Sequence, residues 1–221
     1  MTFDWAFALE ITPQLLHALR ITVAATFLGM ILASVLGLVW AILRRSPVRA
    51  IAWTVAFTVD FIRNTPILVQ IYFLFYMLPE AGISLTPMVT GIIALGLHYS
   101  TYLAEVYRAG IEAVPKGQWE AANALNLSTA QSWRHVILPQ AIPPIIPVMG
   151  NYLVAMFKDT PMLSAITVLE LLQTAKIIGS ESFRYLEPLT LVGGFFLILS
   201  LIASRGVRWA EYRFGVQGAH A

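Results

Sequence analysis

Five ionisable residues stand inside stretches otherwise suited to lipid: Asp60, Arg63, Glu105, Lys158 and Asp159. Charge at that depth is costly and ordinarily faces a bundle interior or an aqueous cavity. A zwitterionic solute needs one anionic and one cationic partner, and this set holds both. Lys158-Asp159-Thr160-Pro161 gathers them where Pro161 removes a backbone donor. An opened helix there is tolerated only where protein or water satisfies the freed backbone groups. Arg63, Glu105, Lys158, Asp159 and Thr160 are therefore the candidate solute-path residues. The same charges can instead satisfy one another. Asp60 and Arg63 are i, i+3, as are Glu105 and Arg108, and that spacing puts each pair on one helical face.

Other chemistries find less support. His98, Tyr102 and Glu105 share a helical face, but a metal centre needs more ligands than these, so the face points to helix packing or a polar lumen and no metal site is expected. The chain has no cysteine, which excludes disulfides, thiol catalysis and thiolate metal sites. No nucleophile–base pair stands out, so a membrane-embedded enzyme ranks last. No G-x-x-x-x-G-K-[ST] phosphate loop is present. No cofactor is expected in this chain, and an ATP-driven process would draw on another one.

A second constellation lies at Trp119–Pro143, "WEAANALNLSTAQSWRHVILPQAIP", a polar stretch in an apolar chain. Glu120-Ala121-Ala122-Asn123-Ala124-Leu125 is built of helix formers and small residues. Asn126 follows, the non-glycine residue most tolerant of the left-handed conformation that ends helices. Ser128 and Gln131 form a capping box that starts a second helix, expected to run to about Leu138 with Pro139 marking an end or a bend. Trp133, Val136 and Ile137 give that helix an apolar face fit for docking, and Ala121 and Ala122 permit close approach of a partner surface.

The elements that must position these residues follow from composition. The chain has 221 residues, 58% hydrophobic and 12% charged, with net charge +2 and mean hydropathy +0.73. A soluble domain has about 25% charged residues, so the pattern is that of an all-α multi-pass membrane protein, and the small net charge does not suggest nucleic acid. Five segments approach the roughly 20 apolar residues that a crossing needs: Leu15–Leu43, Ile51–Leu78, Met88–Tyr107, Ile145–Leu172 and Leu189–Ala203. At the helical rise, Arg63 would sit about 20 Å from the Arg44–Arg49 loop, near mid-membrane. Trp5, Trp53 and Trp209 read as interfacial anchors. Gly29 with Gly37, and Gly193 with Gly194, could allow close helix contacts.

Arg44, Arg45, Arg49, Arg108, Lys116, Arg134, Arg205, Arg208 and Arg213 fall on one side, which should be cytoplasmic. The opposite side holds acidic Asp4 and Glu10, a 79–87 loop without Lys or Arg, and a 173–187 loop. Five spans then place the N-terminus outside and the C-terminus and hairpin inside. The acidic start argues against a cleaved signal peptide. With no internal repeat, one membrane domain over 1–221 is the economical reading, with a cytoplasmic loop at 110–140 inside it.

The hairpin resembles the EAA loop of bacterial ABC importer permeases: Glu-Ala-Ala, three residues, Gly, nine residues, Ile, one residue, Leu-Pro. Here it reads Glu120-Ala121-Ala122, Asn126, Val136, Leu138-Pro139, with Asn126 for Gly and Val136 for Ile. "RNTPILVQ" at 63–70, "TYLAEVYRAGIEAVPKGQWEAA" at 101–122 and "NYLVAMFKDTPMLSAI" at 151–166 also resemble the branch that imports polar amino acids, relatives of which carry opines and compatible solutes such as ectoine. The resemblance implies a type I importer permease in the bacterial inner membrane. It implies an ATP-binding cassette ATPase dimer that binds ATP and Mg and receives the hairpin through Glu120, Ala121, Ala122, Asn126, Val136, Leu138 and Pro139. It further implies an extracytoplasmic solute-binding protein and a second permease subunit, identical or not. The alternatives are a permease for ectoine or hydroxyectoine, or an ion-coupled secondary transporter, which the missing repeat disfavours.

Overall fold

In the computed structural model, which describes residues 3–213, Asp4 begins the first helix. Its carboxylate accepts from the backbone N–H groups of Ala6 (2.9 Å) and Phe7 (3.2 Å), two of the donors every helix start leaves free. Helix α1 then runs Trp5–Arg44, 40 residues through Pro13. It starts well before the expected Leu15, because the cap and not the first charge-free residue sets the boundary.

The second expected span is not one helix. Helix α2 (Arg49–Arg63) stops at Asn64-Thr65-Pro66, where proline disfavours the helical region for the residue before it. Helix α3 (Ile67–Tyr72) continues as a wide π turn over Phe73–Met77 and a 3₁₀ turn over Leu78–Ala81. The two halves meet at a bend of 102°.

Helix α4 (Pro87–Glu112) lies along α1 and runs parallel to it. Gly29 faces Leu95, Gly37 faces Leu103, and Arg44 meets Glu105, so contacts advance in the same direction along both helices. A Cβ on Gly37 would stand 2.9 Å from Leu103 Cβ and from the Ser100 carbonyl oxygen. Glycine there permits the approach, as Gly29 and Gly37 led one to expect. Gly193 and Gly194 do not pack this way, since a Cβ on either would meet nothing within 4 Å. The Trp40 indole N–H donates to Ser100 Oγ (3.0 Å) across the same seam.

A short helix α5 (Lys116–Ala124) and a single turn α6 (Thr129–Ser132) form the hairpin. Pro139 does not end its second arm. A π turn at Trp133–Ile137 leads directly into α7 (Leu138–Asp159), with the Leu138 N–H donating to the Trp133 carbonyl. That wide turn already departs from the α register ahead of Pro139, which blunts the effect of its missing N–H. Helix α7 also carries Pro143, Pro144 and Pro147 without breaking.

At the expected interruption α7 does end, at Asp159. A 3₁₀ turn over Thr160–Ile166 follows, then Thr167 in the left-handed region at φ 63°. Leu171 and Leu172 belong not to that span but to a separate helix, α8 (Leu171–Ser182), which occupies most of the stretch expected as a loop. Glu170 caps it, accepting from Leu172 N (2.9 Å) and Gln173 N (2.7 Å). Helix α9 (Leu186–Arg213) closes the described chain.

Two cores hold the bundle. The larger joins Ala25 and Ala33 of α1, Ile67 and Ile71 of α3, Leu95 and Leu103 of α4, Met156 of α7 and Leu163 and Ile166 of the 3₁₀ turn. The second packs Ile11, Leu15 and Ala18 of α1 against Leu171, Ala175 and Ile178 of α8 and Val192 of α9. The 3₁₀ turn after Asp159 is thus clamped by the main core, and its break point is held in place.

Candidate coupling hairpin and solute path

The hairpin is a rigid unit with its own small core. Val114, Ile137 and Ala141 are buried, and Ile111, Trp119, Trp133 and Val136 pack against them. The Trp119 and Trp133 rings meet edge to face at 5.4 Å, and the Arg45 guanidinium stands 6.0 Å from the Trp133 ring centre. Asn126 takes φ 53°, the left-handed value its residue type allows. Around it the Leu127 N–H donates to the Ala122 carbonyl (3.1 Å) and the Asn126 N–H to the Asn123 carbonyl (2.9 Å), the paired bonds of a Schellman ending. Ser128 and Gln131 form the capping box in both directions.

This core divides the motif residues into two sets. Glu120, Ala121, Asn126, Leu138 and Pro139 are exposed, whereas Ala122 is buried and Val136 half-buried. The apolar face of Trp133, Val136 and Ile137 packs inside the subunit, against the ends of α4 and α5, and is not free for docking as its pattern suggested. Leu125, absent from the motif residues singled out, is 72% exposed at the tip.

Above the hairpin, Glu105 is the hub of a charge network. It accepts from Arg44 and from Arg108 (2.8 Å), and Arg63 Nη1 stands 3.9 Å away. Arg63 also pairs with Asp60 at 2.8 Å, and Arg108 with Glu112 at 2.6 Å. Both pairs anticipated from spacing therefore form. Arg63, however, does not sit alone at mid-membrane: the bend at Asn64–Pro66 brings it to the carboxylate that holds Arg44 at the end of α1.

The Lys158–Thr160 segment separates its three residues. Thr160 is fully buried, and its hydroxyl donates to the Phe157 carbonyl (2.7 Å), so it faces no cavity. Lys158 is exposed and has no ion pair among the described residues. Asp159 is half-buried, and its Oδ2 accepts from the Tyr99 hydroxyl at 2.6 Å. Tyr99, Tyr102 and Tyr152 cluster beside it with ring centres 5.5 to 6.3 Å apart, and His98 lies 5.4 Å from Tyr102. Sequence reasoning missed Tyr99 and Tyr152, although Tyr152 and Asp159 are i, i+7 on one face of α7. An anionic oxygen beside a cluster of aromatic rings can hold the ammonium end of a zwitterion.

At the opposite end of the bundle, Arg184 donates to Asp4 (3.1 Å) and Glu187 (3.0 Å) and stacks over Phe7 at 4.6 Å. Hydrogen bonds from the Phe7 N–H and from Arg184 hold the Asp4 carboxyl below its ordinary range.

The sequence pattern of the family described as "binding-protein-dependent transport system inner membrane component" matches residues 13–215. The chain belongs to that family. It is 51% identical over 215 residues to a probable amino-acid ABC transporter permease of Sinorhizobium fredii, covering 97% of this chain and 93% of that one. It is 35% identical over 195 residues to the L-cystine transport system permease TcyB of Bacillus subtilis, covering 86% and 83%. Its fold matches the crystal structure of an amino acid ABC transporter with histidines at a TM-score of 0.91 and 34% identity, over 96% of this chain and all of that one. This permease is an all-α, multi-pass protein of the bacterial inner membrane, in the class of amino-acid ABC importer subunits with a type I fold. It works with a separate ATPase and a binding protein, and performs no ATP hydrolysis itself.

Proposed function

We propose that the permease forms half of a translocation pathway for polar amino acids or related zwitterions, and that Asp159 and Lys158 meet the solute inside it. The observation that carries this reading is the half-buried Asp159 carboxylate at the end of α7, bonded to Tyr99 of the Tyr99–Tyr102–Tyr152 cluster, with Lys158, which has no ion pair among the described residues, preceding it in the chain. One carboxylate oxygen is engaged by Tyr99, which orients the group and leaves Oδ1 for an ammonium. Thr160 drops out, and Arg63 and Glu105 act as the network that holds α1, α2 and α4 together at the inner end. The amino-acid names carried by the relatives favour this cargo over ectoine.

The exposed Glu120, Ala121, Asn126, Leu138 and Pro139 meet the ATPase dimer, which carries the ATP and Mg, while Ala122 and Val136 shape the hairpin from within. A second permease subunit completes the path, and an extracytoplasmic binding protein loads it. Five crossings with the N-terminus outside fit the parallel α1 and α4, with the continuous helical stretch Ile67–Ala81 as the single return between them. The test is ATP-driven uptake by the reconstituted complex. Asp159→Asn and Lys158→Ala should each cut uptake at least tenfold while basal ATPase activity persists. Full uptake in both variants would remove this site from the path.

A further inference from the structure

Helix α2 has a face that neither the bundle nor the hairpin uses. Trp53, Phe57 and Phe61 are 72%, 62% and 63% exposed. Their rings stack in a ladder, 6.0 Å apart at 17° and then 6.4 Å apart at 21°. The other side of the same helix buries Val55 and Val59.

Its orientation follows from its ends. Helix α1 closes with Arg44, five residues before α2 begins, and α2 closes with Arg63, yet both guanidinium groups converge on Glu105. The end of α1 and the end of α2 therefore lie near one level of α4, so the chain between them makes no net passage along α4, and the 102° bend turns it into α3. That level is the end of α4 from which the hairpin departs. On α1, Val35, Leu38 and Ile42 are exposed at helical spacing and lead to the start of α2, so the ladder continues the outward face of a long apolar helix around a corner. Arg45 and Arg49, both exposed, flank that corner.

We propose that α2 does not cross the bilayer but lies in its plane, in the leaflet on the hairpin side, with the Trp53–Phe57–Phe61 ladder immersed at the boundary between headgroups and acyl chains. An amphipathic helix with an aromatic face and flanking basic residues is held at that depth by apolar burial and by attraction to anionic headgroups. The leaflet thereby fixes the helix whose last residue, Arg63, joins the Glu105 network. This inference stands whether or not Asp159 binds solute.

The absence of cysteine makes the test direct. Single cysteines at positions 53, 57 and 61 carry a nitroxide, and the full transporter complex is placed in nanodiscs of phosphatidylethanolamine and phosphatidylglycerol. Collision rates with oxygen and with a water-soluble nickel chelate report depth. An in-plane helix gives high oxygen collision and one shared depth at all three positions. A crossing helix gives a steady gradient, about 12 Å from position 53 to 61 at the helical rise, which would overturn the proposal. Protection from both collision partners would overturn it too, by showing that a protein surface covers the ladder. For labelled variants that do not assemble, the fluorescence lost in Trp53→Phe is compared across brominated lipids. Strongest quenching of that component by shallow bromines is expected, and strongest quenching by bromines near the bilayer centre would contradict the in-plane placement.

Discussion

Asn126 ties the conformation of the hairpin to a single backbone angle, so substitutions there have a calculable effect. Its φ of 53° is free for glycine, tolerated by asparagine and resisted by residues with a Cβ branch. The left-handed region costs an ordinary L-residue roughly 1–2 kcal/mol. A cost near 1.4 kcal/mol lowers the ratio of closed to frayed turn about tenfold. The two Schellman bonds use only backbone groups, so Gly, Ala and Val all keep them available, and these variants differ in that angle. Asn126→Gly should leave the hairpin intact, Asn126→Ala should weaken it, and Asn126→Val should weaken it most. Solute-stimulated ATPase activity of the reconstituted transporter, divided by basal activity, reads the consequence. The ratio should fall in the order Gly, Ala, Val with basal activity retained. A Val variant as well coupled as the parent would refute the idea that this turn holds the hairpin in its working shape.

Three further outcomes are expected. Tyr99→Phe removes the hydroxyl that orients Asp159, an interaction of about 1.5–3 kcal/mol for a charged acceptor, and should raise the KM for uptake about tenfold with kcat little changed. Gly37→Val overpacks the α1–α4 seam and should cost about 1–3 kcal/mol, seen as a lower Tm in nanodiscs, whereas Gly193→Val, with no neighbour within 4 Å, should not. Asp4 is held below its ordinary value of 3.8, so its contribution is present in full above that value and lost as pH falls through the lowered one. The Tm gap between the parent and Asp4→Asn should therefore be constant from pH 7 to pH 5 and close only below about 3.8.

Much of this molecule was legible in its residues, and what was not has physical causes. The hairpin could be read because its signals are local: a capping box between Ser128 and Gln131 and a left-handed residue at Asn126 each need only a few neighbours. The ion pairs Asp60–Arg63 and Glu105–Arg108 follow from one turn of helix. The bend between α2 and α3 fell inside the single expected span Ile51–Leu78, because apolar composition alone cannot tell a crossing helix from one that turns aside. The start of α1 was missed because hydropathy marks where lipid begins and a cap marks where a helix begins. Pro139 misled because an adjacent π turn absorbed it. Tyr99 meets Asp159 across 60 residues of sequence, a contact made by packing that no spacing rule encodes.

The central claim is that the exposed ridge of the hairpin transmits closure of the ATPase to the helices that line the path. The most direct test places a cysteine at Ala121, exposed beside Glu120, in the otherwise cysteine-free permease. A short bifunctional crosslinker is then applied to the assembled transporter with and without ATP. The account predicts a permease–ATPase product in both states, and loss of uptake once the link is made. Failure to capture the ATPase in vesicles that transport normally would contradict it.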